Sequence, residues 1–497
     1  MRRFLICLLV LSGLVPKAQV YNNEWIDYSK TYYKFKVAQN GLCRIPQSTL
    51  ASAGLSSVPA EQFQLWRNGV QVPIYTSVAS GQFSAGDYIE FWGEMNDGKP
   101  DKELYRITDY QLNNKWSLET DTAVYFLTVN TSGTNLRLAS TPNNVAGNTL
   151  PVEPYFMYTI SKYFKDQINW GYAVNVGTYL YSSAYDRGEG WTSTDIGANG
   201  TNSVTFSNLF VYTSGPAASF SIAASGNAVN PRKYRVAING DSILQTQMDY
   251  FNYNRSNASV SLSTLAVNSA VVEVKNVSTA SSDRMVVHKY ELTYPRQFNF
   301  GGATNFEFTL PASAAGNYLE ITNFSWGSTT PILYDLTNGR RYVADVSAAP
   351  MLKFVIQPSN IPSRFVLVSQ EASNITTTIN SLQARNFMDV TNVANQGNYI
   401  IISNSILFNG ANGSNPVEDY RAYRSSAAGG SYTGKIYTVD EIIDQFAFGI
   451  KKHPAGVRNF IRFARNTFNT TPRFVFLIGK PVNYVHQRLF ESNPDID

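Results

Sequence analysis

The sequence predicts a multidomain protein in which all-β, β-sandwich-like amino-terminal domains are followed by an incomplete α/β parallel-sheet domain. Three observations carry that expectation. Short segments alternating apolar and polar residues, punctuated by turn residues, recur from Tyr32 to about Tyr334. Strand and helix patterns alternate between Asn398 and Lys480. The chain is 497 residues long, and at roughly 150 residues per domain it should hold about three domains.

Taken in order, Met1-Arg2-Arg3, an apolar stretch from Phe4 to Val15 and Pro16-Lys17-Ala18 have the layout of a secretory signal peptide, cleaved after Ala18. That apolar run is too short to span a bilayer, and no later run is long enough. From Tyr32 to about Ala146, strand-like segments such as Tyr33–Val37, Phe63–Trp66, Tyr88–Trp92 and Ala123–Val129 are separated by turns at Asn40-Gly41, Asn68-Gly69 and Asn96-Asp97-Gly98. Val70–Ile74 carries Pro73, which suits an edge strand. From about Tyr155 to Tyr334 the segments Ser203–Phe206, Ala218–Ile222, Lys233–Ile238, Ala270–Val274, Met285–Leu292 and Phe306–Leu310 read as strands spaced as in a β-sandwich. Leu352–Ile356 and Ser363–Val368 read as part of a small β connector. No repeat of solenoid or propeller period is present. The expected division is residues 1–18 signal peptide, 19–146 amino-terminal β domain, 147–335 β-sandwich domain, 336–395 β connector and 396–497 the start of the α/β domain.

Within that last unit, Asn398–Ile402 is a short β-branched run bounded by polar residues, as expected of a buried parallel strand. Pro416–Arg424 reads as a helix with proline in its first turn, stopped at Gly429-Gly430. Lys435–Val439 reads as a second strand, Asp440–Phe448 as a short helix capped by Asp440, and His453–Ala464 as an amphipathic helix. Arg473–Gly479 reads as a third buried strand. Such alternation implies a parallel sheet whose ligands sit at the carboxyl ends of the strands.

The stretches "NYIIIS", "VEDYRAYRSSAAGGSYTGKIYTVDEIIDQFAFGIKKHPAGVRNFIRFARNTF" and "PRFVFLIGK" resemble the opening of the catalytic domain of gingipain-type cysteine peptidases, in particular the sortase-like branch of the type IX secretion system. Upstream, "FKVAQNGLCRIPQSTLASAG", "GDYIEFWGE" and "DTAVYFLTVN" resemble that branch's β-rich amino-terminal region. The resemblance implies a caspase-like α/β domain, secreted cargo proteins as substrates, type IX secretion components as partners, and no cofactor. It also implies a thiolate that attacks a backbone carbonyl, with a histidine moving the proton and the acyl group passing to water or an amine. In those enzymes the histidine follows a later strand in a Gly-His context, and the cysteine follows the next strand. Neither motif occurs: the histidines are His288, His453 and His486, and no cysteine follows Cys43. The sequence thus reads as truncated before its catalytic pair, and the chain is expected to be inactive. No residue is assigned as catalytic or metal-binding. Asn404, after the first strand, and Lys480 and His486, after the third, are the candidate cleft-lip residues.

Forty Lys+Arg against 36 Asp+Glu give a net charge of +4. Residues 1–18 hold Arg2, Arg3 and Lys17 and no acid, so the mature chain has 37 against 36, a net of +1. That balance argues against nucleic acid as a partner, which needs clustered excess cations. Cys43 would be the only cysteine after cleavage, so no internal disulfide can form. A location in the periplasm or on the outer-membrane surface of a Gram-negative bacterium is expected. The competing reading is a non-catalytic surface adhesion or glycan- or protein-binding β protein.

The remaining chemistry-bearing residues have plainer readings. Cys43 reads as a buried small apolar residue, His453 as a solvated helix-start residue, and His288 as a surface position in a strand. Asp440, Glu441 and Asp444 read as capping and dipole-complementing acids. Asn96–Asp101 reads as a polar turn without calcium-loop spacing. Asp186-Arg-Gly-Glu-Gly-Trp191 reads as a loop offering an exposed carboxylate to a partner domain or glycan.

Overall fold

The computed structural model describes residues 20–182, 185–481 and 483–490; the expected signal peptide, residues 1–18, lies outside them. Alternation of large apolar and polar residues makes the amino-terminal segments two facing sheets. One has the strand order Gln383–Arg385, Tyr32–Val37, Ala123–Val129, Phe63–Arg67, Val70–Val72. The other runs Ile375–Thr378, Gly41–Pro46, Tyr88–Gly93, Tyr75–Thr76. Phe35, Cys43, Ile45, Leu65, Ile89, Phe91, Tyr125 and Leu127 close the core between them. The strand before Pro73 lies at a sheet edge, where the missing amide of proline costs no ladder bond. Two strands of these sheets come from residues 375–385, so the chain returns here after crossing the middle of the molecule.

A second pair of sheets follows. Arg284–Arg296 pairs with Phe156–Tyr163, Ile196–Gly197 and Ala218–Gly226, and the last of these with Tyr253–Val260. Its opposing sheet is ordered Thr201–Ser207, Ser269–Asn276, Lys233–Ile238, Asp241–Gln247. Phe220, Ile222, Tyr234, Val236, Val272, Val287 and Tyr290 fill the space between. A third, phenylalanine-rich core joins a five-stranded sheet centred on Ile332–Asp335 to a three-stranded sheet centred on Asn317–Phe324.

The carboxyl-terminal unit is a three-stranded parallel sheet in which Tyr399–Ser403 is central, flanked by Gly434–Thr438 and Phe474–Ile478. The β-branched run Ile400-Ile401-Ile402 is buried on both faces. Ile400 and Ile402 pack with Tyr437, Phe446, Phe460 and Phe463, bringing in the helices Val439–Phe446 and Ala455–Thr467. Tyr399 and Ile401 pack with Val417 and Tyr420 of the helix Pro416–Ser425.

Three expectations for this unit are corrected. The strand Phe474–Ile478 is not buried: Phe474 is 46% exposed and Leu477 58%, because this strand lies at the sheet edge and neither of its faces is fully covered. The cap of the helix Val439–Phe446 is Thr438, whose Oγ1 accepts the Glu441 amide at 3.3 Å, while Asp440 sits one residue inside the first turn. Asp444 serves neither cap nor dipole. It is buried, and its carboxylate takes Lys34 Nζ at 2.5 Å and Arg385 Nε at 2.7 Å. Both cations come from the first five-stranded sheet, so this carboxylate ties the α/β unit to it.

Candidate functional site

Parallel register aligns Ser403 with Thr438 on one side and with Ile478 on the other, so the three strands end together. Asn404 leaves the central strand exposed, and its Oδ1 accepts the Ile406 amide at 3.0 Å, capping the short turn Ser405–Phe408. Gly479 ends the edge strand at φ 138°, with the position of an added Cβ 3.8 Å from Leu407 of that turn. The loops that carry Asn404 and Lys480 therefore adjoin, and Lys480 is exposed. His486 is exposed on the helix Tyr484–Phe490, whose Tyr484 and Val485 are instead sunk among Tyr105, Leu118, Ile168 and Trp191.

Cys43 is fully buried in the core of the first sandwich, a cluster that holds no histidine. Burial pushes its thiol up to about 12, against weaker help from Thr377 and the Gly93 backbone. A Cβ at Gly93 would fall 2.4 Å from its sulfur, so the backbone itself closes over the thiol. A neutral, enclosed thiol of this kind cannot act as a nucleophile.

The other two histidines correct the sequence reading. His288 is fully buried rather than at the surface, with Ser225 Oγ 2.9 Å from its Nε2. Its carbonyl accepts the Phe164 amide at 3.0 Å and the Asn113 side-chain amide at 3.3 Å. Burial, aided by Arg255, lowers its pKa to about 3, so it is neutral. The alternating strand misled because both faces of Arg284–Arg296 are covered there. His453 is 2% exposed. Its Nδ1 accepts the Ala455 amide at 3.2 Å, as a helix-start residue would, but its Nε2 lies 3.2 Å from Asp101 Oδ1. Burial pulls its pKa down, and Asp101, with Glu119 and Glu103, outweighs that and raises it.

Asp101 is correspondingly no solvated turn residue. It is 1% exposed and also accepts the Leu118 amide at 2.7 Å. Glu189, expected to be exposed, is 3% exposed, and Asp186 beside it 4%. The Tyr484 hydroxyl donates to Glu189 Oε1, and Glu189 Oε2 accepts the Asp186 amide at 2.8 Å. The Asp186–Trp191 loop thus meets another part of the chain instead of solvent. A cleft of about 440 Å³, lined by Arg67, Lys99, Glu103, Phe448 and His453, opens beside this junction. Sequence reasoning missed the junction because its members are far apart in the chain and each looks like ordinary surface polarity. Among the described residues no cluster of histidine, cysteine and acid has the make-up of a metal site.

The class these features define is a parallel-sheet α/β unit docked on β-sandwich domains. Residues 392–489 match the sequence model of Peptidase family C25. The fold is similar to that of dimeric latent PorU from Porphyromonas gingivalis, which is 14% identical, with a TM-score of 0.56 over 90% of this chain and 41% of that one. The chain therefore spans less than half the length of that protein. Carbohydrate-binding domains also align: a CBM36 domain of a xylanase from the Trinervitermes trinervoides hindgut metagenome is 12% identical, with a TM-score of 0.19 over 27% of this chain and 96% of that one. A CBM35 domain from Cellvibrio japonicus is 10% identical, with a TM-score of 0.18 over 28% and 97%. Similarity at that level carries no functional argument. No curated protein sequence matches the chain.

Proposed function

We propose that this chain is the amino-terminal portion of a gingipain-like cysteine peptidase of the sortase-like type, processing secreted proteins at the outer membrane of a Gram-negative bacterium by thiol acyl transfer. The observation that carries the reading is the Peptidase family C25 match over residues 392–489, which falls on the parallel sheet and its helices. In this reading the described residues supply a scaffold. The adjoining loops after Ser403 and Ile478, with Asn404 and Lys480, form part of the cleft lip, and His486 stands on the helix that follows. The β domains hold that unit through Asp444 and the buried junction around Asp101 and Glu189.

The nucleophile and base of this chemistry are not Cys43 with any histidine of the chain, since a thiolate route needs both in one cleft. The chain is accordingly expected to turn over no broad-specificity peptide substrate. Turnover abolished by Cys43→Ser would overturn that assignment. Sequencing the genomic DNA downstream of the Asp497 codon tests the function itself. A Gly-His context followed by a cysteine after an apolar strand is expected, whereas unrelated β repeats would favour a surface-binding protein.

A further inference from the structure

We propose that the helix Tyr484–Phe490 is held on the β domains by a proton-dependent latch, closed while the Glu189 carboxyl is neutral and loosened when it ionises. The helix contacts the β domains through two features. Tyr484 and Val485, 7% and 3% exposed, lie in the apolar cluster of Tyr105, Leu118, Ile168 and Trp191. The Tyr484 hydroxyl reaches the Glu189 carboxyl, which otherwise takes a backbone amide. The groups around that carboxyl are neutral or acidic. Tyr105 donates to the Glu189 carbonyl at 3.0 Å, the Tyr185 ring lies 5.7 Å from that of Tyr484, and Asp186 is adjacent.

Nearby cations face acids other than Glu189, Arg488 acting on Glu119 as well as Asp121. Arg488, from the same helix, bonds Asp121 at 2.8 Å with its guanidinium 5.5 Å from the Trp191 ring. Lys165 also pairs with Asp121, and Arg106 lies 3.8 Å from Asp186. On the far side of Tyr185 stands Glu119, which accepts that hydroxyl at 2.7 Å and shares its surroundings with Asp101 and His453. Four acids, Asp101, Glu119, Asp186 and Glu189, thus converge on the seat of one helix.

The chemistry follows from burial. Glu189 is raised to about 7 by loss of hydration, with the Asp186 and Tyr185 amides opposing, and Glu119 likewise, with Asp101 adding to the rise and His453, the Tyr185 hydroxyl and Arg488 opposing it. A carboxyl raised in the closed state holds a proton there that it gives up when the helix opens and water enters. Acidification therefore closes the latch. Rising pH between the ordinary carboxyl value and about 7 favours opening by about tenfold per pH unit for each such group. Because the helix follows the edge strand by a short connection, its release frees the chain that leaves that strand's carboxyl end.

Hydrogen exchange of the full chain between pH 5 and 8, corrected for intrinsic rates, tests the latch. The amides of Val485 to Arg488 are expected to lose protection about tenfold per pH unit up to about pH 7, and more steeply if Glu119 ionises with Glu189, while those of Tyr125 to Val129 hold theirs. Glu189→Gln, neutral at every pH, should shrink or remove that slope. Tyr484→Phe should lower protection of the helix throughout. Protection independent of pH in the unaltered chain would overturn the proposal, as would an unchanged slope in Glu189→Gln. Should that variant fail to fold, a Tyr484→Phe helix as protected as the original would overturn it alone.

Discussion

A thiol with its pKa pushed to about 12 and a backbone glycine closing over its sulfur behaves as a small hydrophobe, and Cys43 meets both conditions. It is expected to resist thiol reagents in the native protein and to react at once in denaturant. Rapid native labelling would contradict the burial. Asp444 makes the opposite kind of residue-scale demand. Removing it leaves Lys34 and Arg385, 16% and 25% exposed, without their shared anion. Asp444→Ala should cost about 3 kcal/mol in urea unfolding, toward the low end for breaking a buried pair because both cations can reach water. A loss under ~0.5 kcal/mol would show that solvent already screens the pair. The identity of Cys43 as core was legible because Leu42, Cys43 and Ile45 sit in a strand after a turn. The role of Asp444 was not, since its partners lie 410 and 59 positions away and sequence periodicity reports one element at a time.

At the scale of elements, propensity and partner cover have to be separated. The run Phe474-Val475-Phe476-Leu477 is apolar at every position, which specifies a strand built for cover on both faces. Its place at the edge of the sheet leaves those side chains 39 to 58% exposed. The existence of the strand was therefore legible, while the degree of its exposure depends on what packs against it. An edge strand with one neighbour also has one unpaired row of backbone groups. Its amides should exchange faster than those of Tyr125 to Val129, which lie inside a five-stranded sheet. Equal protection in the two segments would mean that the unit is closed by some further contact. The helix Val439–Phe446 shows the same separation on a smaller scale: its existence followed from its pattern. The cap passed from Asp440 to Thr438 because Thr438 ends the preceding strand in extended conformation with its hydroxyl facing the Glu441 amide. Thr438→Ala should cost about 1 kcal/mol.

Across the whole molecule, two buried titratable sites pull in opposite directions with pH. The sandwich holds His288 neutral, with a pKa near 3 against an ordinary 6.5. The junction holds Glu189 and Glu119 protonated, near 7 against an ordinary 4.5. For His288 the unfolded chain takes up a proton from about pH 6.5 downward, while the folded chain refuses it until about 3. Stability from this site is therefore complete above the unfolded value and lost as pH falls, by about 1.4 kcal/mol per pH unit. For the two carboxyls the folded chain holds protons that the unfolded chain has released, so their penalty grows as pH rises toward 7. Between pH 5 and 6.5, above the ordinary carboxylate range, exchange at the amides of Val286 to Tyr290 should become faster on acidification while exchange at the Tyr484–Phe490 helix becomes slower. His288→Gln should remove the first trend and leave the second. Trends of the same sign in both places would mean that the sandwich and the junction open as one unit. The separate cores, one around Tyr290 and one around Trp191, would then be a single cooperative body.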